Sequence, residues 1–208
     1  MVGRVDESMF AVVILGAGLG TRFGGPKAVA RTADGRTFLE RIVESATASG
    51  AAVVVAVVPP GVTPPSPARR VVNAAGAGEQ ILSLRLGLAV LANTGVHGAL
   101  VWPVDFPFVS AETARAVAEA GAAAGAVAVT AAEIAVPVHD GRRGHPVYFA
   151  RAVWRELLTV GDGGARAVVA RDLGRVLPVP VADAAVLRDI DTLEDLHASE
   201  EATRNAVH

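Results

Sequence analysis

Hydrophobic positions along this chain fall into two kinds of block. Residues 10–15, 51–58 and 99–104 are continuous apolar runs rich in β-branched side chains, with no polar residue at alternate positions. Runs of that length and composition predict strands buried on both faces. Behind Thr37, the residues Phe38, Leu39, Ile42, Val43 and Ala46 recur at helical spacing and predict a helix to about Ser49, capped by the threonine. Ile81, Leu82, Leu84, Leu88 and Leu91 predict a second helix over 79–92. Ser110 is placed to cap an alanine-rich helix over 113–124. Further helices are predicted over 151–158, over 165–172 and from Thr192 onward.

Shorter extended segments complete the pattern: Val71 and Val72, then 127–130, 134–138, 147–149 and 176–181. The proline-rich stretch 59–67 and the polar segment 140–145 read as loops. Strands alternating with helices predict a three-layer α/β/α fold, Rossmann-like, with a doubly wound and mostly parallel sheet. Ligands of such sheets lie beyond the carboxyl ends of the strands. The segments after Leu15, Val72, Val104 and Val138 are therefore expected to converge.

Composition narrows the possibilities. The 208 residues suit a single domain: a leader over 1–9, a core over 10–200 and a tail over 201–208. A net charge of −2 argues against a general nucleic-acid or anionic-membrane surface, and the absence of cysteine removes disulfides and thiolate chemistry. The leader lacks the pattern of a secretory signal, and the apolar runs are too short to span a bilayer, so a cytoplasmic protein is expected.

The candidate chemistry begins where the first strand stops. Residues 12–27 read VVILGAGLGTRFGGPK, with glycines at 16, 18, 20, 24 and 25 and two cations, Arg22 and Lys27. Glycines leave room for backbone N–H groups to converge on an anion, and the two cations complete a phosphate cradle. It is neither a P-loop, because Pro26 separates Gly25 from Lys27 and Ala28 replaces the hydroxyl, nor a dinucleotide fingerprint, because the sixth residue from Gly16 is Thr21.

This segment resembles the L-x-x-G-x-x-x-R-x-G-x-x-K signature of nucleotidyltransferases of the MobA-like family, and within it the molybdenum cofactor cytidylyltransferases. The resemblance implies that Leu15, Gly16, Ala17, Gly18, Gly20, Thr21, Arg22 and Lys27 bind an NTP. It also implies that Asn73 and Ser83 contact the nucleotide, from the N…G…S-L element. WPVDFPFVS resembles the family's metal segment, where Asp105 holds Mg²⁺ on the triphosphate, a hard cation that takes one or two carboxylates. LRDIDTLEDL resembles the D-I-D-T-x-E-D-L ending of the cytidylyl relatives, which leaves two readings: Asp191 as a second metal ligand, or a helix cap supplied by Asp191 or by Thr192. On strand-end alternation, Asp189 points to the same side as Asp191.

GRRGHPVYF and GDGGARAVV resemble acceptor-side segments and bring in Gly144, His145, Pro146 and Arg166. Arg142 and Arg143 are further cations suited to an anionic acceptor, and a solvated hairpin tip accounts for them equally well. In the family, L-A-G-G accompanies guanylyl and L-A-A-G cytidylyl transfer. Here Ala17 follows the cytidylyl pattern and Gly16 departs from it. The implied reaction moves an NMP, from CTP by preference and from GTP as the alternative, to a phosphorylated acceptor, with molybdopterin first and other phosphorylated small molecules open. A molybdoenzyme or its chaperone is the implied onward partner. A nucleotide-sensing module without turnover is the competing class.

Overall fold

The structure is a computed structural model that describes residues 9–18, 20, 23–75, 80–126 and 132–205. In chain order its elements are β1 (Phe10–Leu15), α1 (Phe38–Ala48), β2 (Val53–Val58), β3 (Arg69–Val72), α2 (Gln80–Leu91), β4 (Gly98–Pro103) and α3 (Ala111–Ala126). Then follow β5 (Ile134–His139), β6 (Arg142–Arg143), β7 (Val147–Ala150), α4 (Trp154–Thr159), α5 (Gly164–Arg171), β8 (Val176–Pro180) and α6 (Leu193–Asn205). The expected extended segment 127–130 lies outside the described residues.

One sheet runs β3-β2-β1-β4-β7-β5-β6, and β8 joins β5. The β1–β2, β1–β4, β2–β3 and β5–β8 pairs are parallel, as the alternation of strands and helices predicts. All six residues of β1 are buried, and the pleat sends them alternately to two cores. Phe10, Val12 and Ile14 pack with Phe38, Leu39 and Ile42 of α1 and Val117 of α3. Ala11, Val13 and Leu15 pack with Leu84, Leu88 and Leu91 of α2 and Val168 of α5. This is the three-layer, mostly parallel arrangement expected from the sequence. No described helix is long and apolar enough to cross a membrane.

Local signals account for where α1 starts. Thr37 accepts the Glu40 amide at 3.1 Å while the Glu40 carboxylate accepts the Thr37 amide at 2.6 Å, a reciprocal capping box. The helix expected over 151–158 is divided: Arg151–Val153 form a 3-10 turn before α4. There the chain leaves β7 at once, and the Arg151 guanidinium reaches back to the carbonyls of Thr94 and Val96.

The strand that positions the site is β7. It runs antiparallel to β4, with Val101 opposite Val147, so the beginning of β7 sits at the edge where β4 ends. Residues 144–146 therefore arrive beside the segment after β4, on the side of the sheet where β1 opens into its loop.

Candidate active site

Four segments meet at this edge. The amide of Gly16 is spent on the carbonyl of Val57 at 2.8 Å, which pins the exit of β1 against β2. Gly20 adopts φ +55°, and a Cβ there would lie 2.0 Å from the Gly25 carbonyl oxygen, so this tight turn takes only glycine. The amides of Phe23 and Gly25 both return to the Gly20 carbonyl, at 2.8 and 3.2 Å. Those of Ala17, Gly18 and Gly20 donate to no acceptor among the described residues. Thr21 and Arg22 lie outside the described residues.

Lys27 opens a short 3-10 turn in which Ala28 is fully buried in the core. The place a P-loop gives to a metal-binding hydroxyl is thus a packing position here. Anchored by its neighbour, Lys27 forms a partly buried ion pair with Asp191, from the far end of the chain.

Asp105 sits on the turn that follows β4. The Phe106 amide donates to Pro103 O at 3.2 Å, the Trp102 indole donates to Phe106 O at 3.0 Å, and the Ile190 amide donates to Asp105 O at 2.8 Å. That last bond ties the segment 189–191 to the turn. The Asp105 Oδ1 is sealed from solvent and has no hydrogen-bond partner among the described residues. Burial pushes its carboxyl pKa up; the charge of Lys27 opposes that rise, and Asp189 and Asp191 add to it.

Segment 189–191 is irregular, not a strand end, because β8 stops at Pro180 and a 3-10 turn over Ala184–Leu187 intervenes. The alternation expected for Asp189 and Asp191 therefore does not exist, although both carboxylates act on Asp105. The capping alternative for Asp191 is taken by its neighbour. Thr192 Oγ1 accepts the Asp195 amide at 3.1 Å, and Asp195 accepts the amides of Asp191 and Thr192 at 3.1 and 2.8 Å. The Asp191 side chain is left facing Lys27. Among the described residues, no three carboxylate or histidine side chains form a ready-made metal centre.

Gly144 is wedged against the turn before Asp189: a Cβ there would lie 2.2 Å from Val186 O. Its amide donates to Pro137 O at 2.9 Å, and the His145 amide donates to Val186 O at 2.9 Å. His145 precedes Pro146 through a cis peptide bond and packs its ring 4.8 Å from that of Phe106. Its Nδ1 is buried without a partner among the described residues, and burial pushes its pKa down to about 4, with Asp189 opposing and Arg166 reinforcing the shift. The imidazole is neutral at physiological pH.

Arg166 and His145 line a cavity of about 590 Å³ beside this cluster. Leu15, Leu84 and Phe149 form part of its floor, and Arg143 and Asp162 stand among its polar residues. Asn73 and Ser83 are buried, 2% and 5% exposed, and they bond to each other at 3.0 Å. The Asn73 Oδ1 also accepts the Ala75 amide at 3.0 Å. Their side chains hold β3 to α2, and much of their polar capacity is already used. Apart from Leu15, sequence reasoning assigned no role to the cavity floor, and it did not tell Arg143 from Arg142. Strand register is needed to see which residues face one space.

Solved structures share this fold over nearly its whole length. Rv0371c from Mycobacterium tuberculosis H37Rv superposes with a TM-score of 0.77 at 25% identity, covering 93% of this chain and 98% of that one. Its complex with manganese superposes at 0.67 and 25% identity, over 91% and 97%. The 2-C-methyl-D-erythritol 4-phosphate cytidylyltransferase of Thermus thermophilus superposes at 0.62 and 24% identity, over 93% and 98%. Molybdopterin-guanine dinucleotide biosynthesis protein A from Archaeoglobus fulgidus does so at 0.62 and 21%, over 95% and 100%. No curated protein sequence matches the chain. Residues 12–196, from the middle of β1 to the first turn of α6, match the MobA-like NTP transferase domain, and the chain belongs to that family.

Proposed function

We propose that this nucleotidyltransferase moves a CMP group from CTP to the phosphate of molybdopterin, releasing pyrophosphate. Convergence at one sheet edge supports the reading most directly: the glycine turn after β1, Lys27 and the unpartnered Asp105 oxygen meet beside a cavity that His145 and Arg166 line. Ala17 and the GHP and DIDT segments favour the cytidylyl donor.

The step balances without a redox partner. An oxygen of the acceptor phosphate forms a bond to the α-phosphorus, the bond from that phosphorus to the α–β bridging oxygen breaks, and pyrophosphate leaves with the electron pair. Phosphate is already ionised at neutral pH, so no strong general base is needed, and the neutral His145 is not asked to be one. The chain supplies position and charge. Free loop amides and Lys27 face the triphosphate, and Arg22 belongs to the same loop in sequence. Lys27 exchanges its contact with Asp191 for one with phosphate.

Asp105, whose buried Oδ1 has no hydrogen-bond partner among the described residues, would hold a hard divalent cation, and Asp191 is a candidate second ligand. Such a cation, Mg²⁺ in this proposal, would supply charge neutralisation at the phosphates. Manganese in the Rv0371c complex supports a divalent site.

The test is pyrophosphate release from each of the four NTPs, with and without molybdopterin. Release with CTP that depends on molybdopterin is expected. Acceptor-dependent release with GTP alone reassigns the base, and nucleotide binding without release under any condition overturns transfer.

A further inference from the structure

Lys27 and Asp191 meet because each is carried by a pinned piece of backbone. Ala28, next to Lys27, is fully buried, and the Ala30 amide closes a short turn on the Lys27 carbonyl at 3.0 Å. Ile190, next to Asp191, is fully buried and donates its amide to Asp105 O at 2.8 Å, while the Asp191 amide donates to Asp195 at 3.1 Å. Thr192 and Asp195 cap α6, so the Asp191 carboxylate has no part in starting that helix. It is an anion of the chain's own, set against the lysine of the glycine turn, and it makes the kind of contact that a phosphate oxygen makes.

Charge here is lopsided. Lys27, Asp189 and Asp191 all act on Asp105, so one ammonium stands among three carboxylates. Asp189 has no ion-pair partner among the described residues. A bare polyphosphate that reaches Lys27 has to part it from Asp191 and then lie beside carboxylates of like charge, which repel it. Asp191 is the more exposed partner, 47% against 15% for Lys27, and is the side of the pair that solvent ions reach.

We propose that Asp191 makes this site select a triphosphate carrying a divalent cation over the bare anion: its carboxylate competes with phosphate for Lys27 and yields when the phosphates bring positive charge with them. The inference deepens the proposed transfer reaction and rests on its nucleotide-binding half. When bound, the cation supplies charge that offsets the carboxylates.

The test is calorimetric titration of the full chain with inorganic tripolyphosphate and with CTP, each in excess magnesium and in EDTA, at one ionic strength. Tripolyphosphate has no base, so its binding does not depend on which NTP is the donor. The proteins are wild type, Asp191→Asn, Asp189→Asn, Lys27→Met and the double variant Lys27→Met with Asp191→Asn. Wild type is expected to bind both ligands more tightly in magnesium than in EDTA. Asp191→Asn should tighten binding in EDTA about tenfold, between the few-fold worth of an exposed ion pair and the roughly hundredfold worth of a buried charge-assisted bond, and so narrow the gap between the two conditions. Asp189→Asn removes the same charge without a lysine partner and should tighten it less. In the Lys27→Met background the gain from Asp191→Asn should shrink to that of Asp189→Asn.

Binding in EDTA that is no tighter for Asp191→Asn than for wild type overturns the proposal, whether or not binding in magnesium is weakened. So does an equal gain from Asp189→Asn, which is plain charge removal, or a gain that survives in Lys27→Met. Pyrophosphate release judges the transfer reading separately. Selection that depends on Asp191 without any release defeats transfer and leaves this inference standing. Release by a wild type that binds tripolyphosphate equally with and without magnesium does the reverse.

Discussion

Lys27 and Asp191, 164 residues apart in sequence, form an ion pair at the heart of the site. Lys27 is 15% exposed and Asp191 47%, so the lysine is held in the cluster while one side of the carboxylate stays open to solvent. The pair brings the two charges together, and among the described residues it leaves Asp105 with a buried oxygen that has no partner.

Removing either end of the proposed phosphate machinery should stop the reaction without unfolding the chain. Lys27→Ala and Asp105→Ala are each expected to lower kcat about 10²–10³-fold, the typical cost of one transition-state charge partner. Pyrophosphate release measures the loss, and an unchanged far-ultraviolet circular dichroism spectrum shows that the fold persists. Near-normal turnover in both variants contradicts the proposed mechanism.

Asp105→Asn should inactivate the enzyme and stabilise it. Burial raises the Asp105 pKa, so its charged form is disfavoured in the fold relative to the unfolded chain. That penalty is absent at pH values below the unfolded pKa of 3.8 and complete above the raised folded value, which means it is in force at neutral pH. An amide removes it. For a chain of this size each kcal/mol relieved moves Tm by roughly 2–4 °C. Calorimetry at pH 7.5 should show a higher Tm for the variant, and a lower one would mean that the Lys27 charge outweighs burial.

His145 should give the protein an acid-side stability slope. Its pKa falls from 6.5 in the unfolded reference to about 4 in the fold, so between those values the unfolded state binds the extra proton. Stability is therefore complete above pH 6.5 and is lost as pH falls toward 4, at up to about 1.4 kcal/mol per pH unit. Urea unfolding across this window should show the slope in wild type and its loss in His145→Gln. Carboxylates with lowered pKa, such as Glu40 and Glu156, act in the same direction but further into acid.

Gly144→Ala and Gly18→Ala should differ sharply. A methyl at 144 would collide with the Val186 carbonyl at 2.2 Å, whereas nothing among the described residues lies within 4 Å of a methyl at 18. The first is expected to cost about 1–3 kcal/mol, as overpacking does, and to raise the acceptor KM. The second should leave Tm nearly unchanged. Thermal unfolding and steady-state kinetics of the two variants decide the matter.

Much of this molecule was legible in its residues. Continuous β-branched runs give the buried strands β1, β2 and β4, because a strand covered on both faces has no polar alternation to keep. Thr37 and Glu40 mark the start of α1 through bonds that span three residues. The glycine turn and its family motif are equally local, since a φ of +55° at Gly20 is written into the residue type. Other features depend on partners far away in the chain. Sequence did not say that β7 runs antiparallel and carries His145 to the end of β4, that Thr192 and not Asp191 caps α6, or that Asn73 and Ser83 bond to each other. Nor did it say which of Arg142 and Arg143 enters the cavity. Strand direction and register decide these, and they are set by how two cores fill on either side of the sheet, where local propensity has no vote.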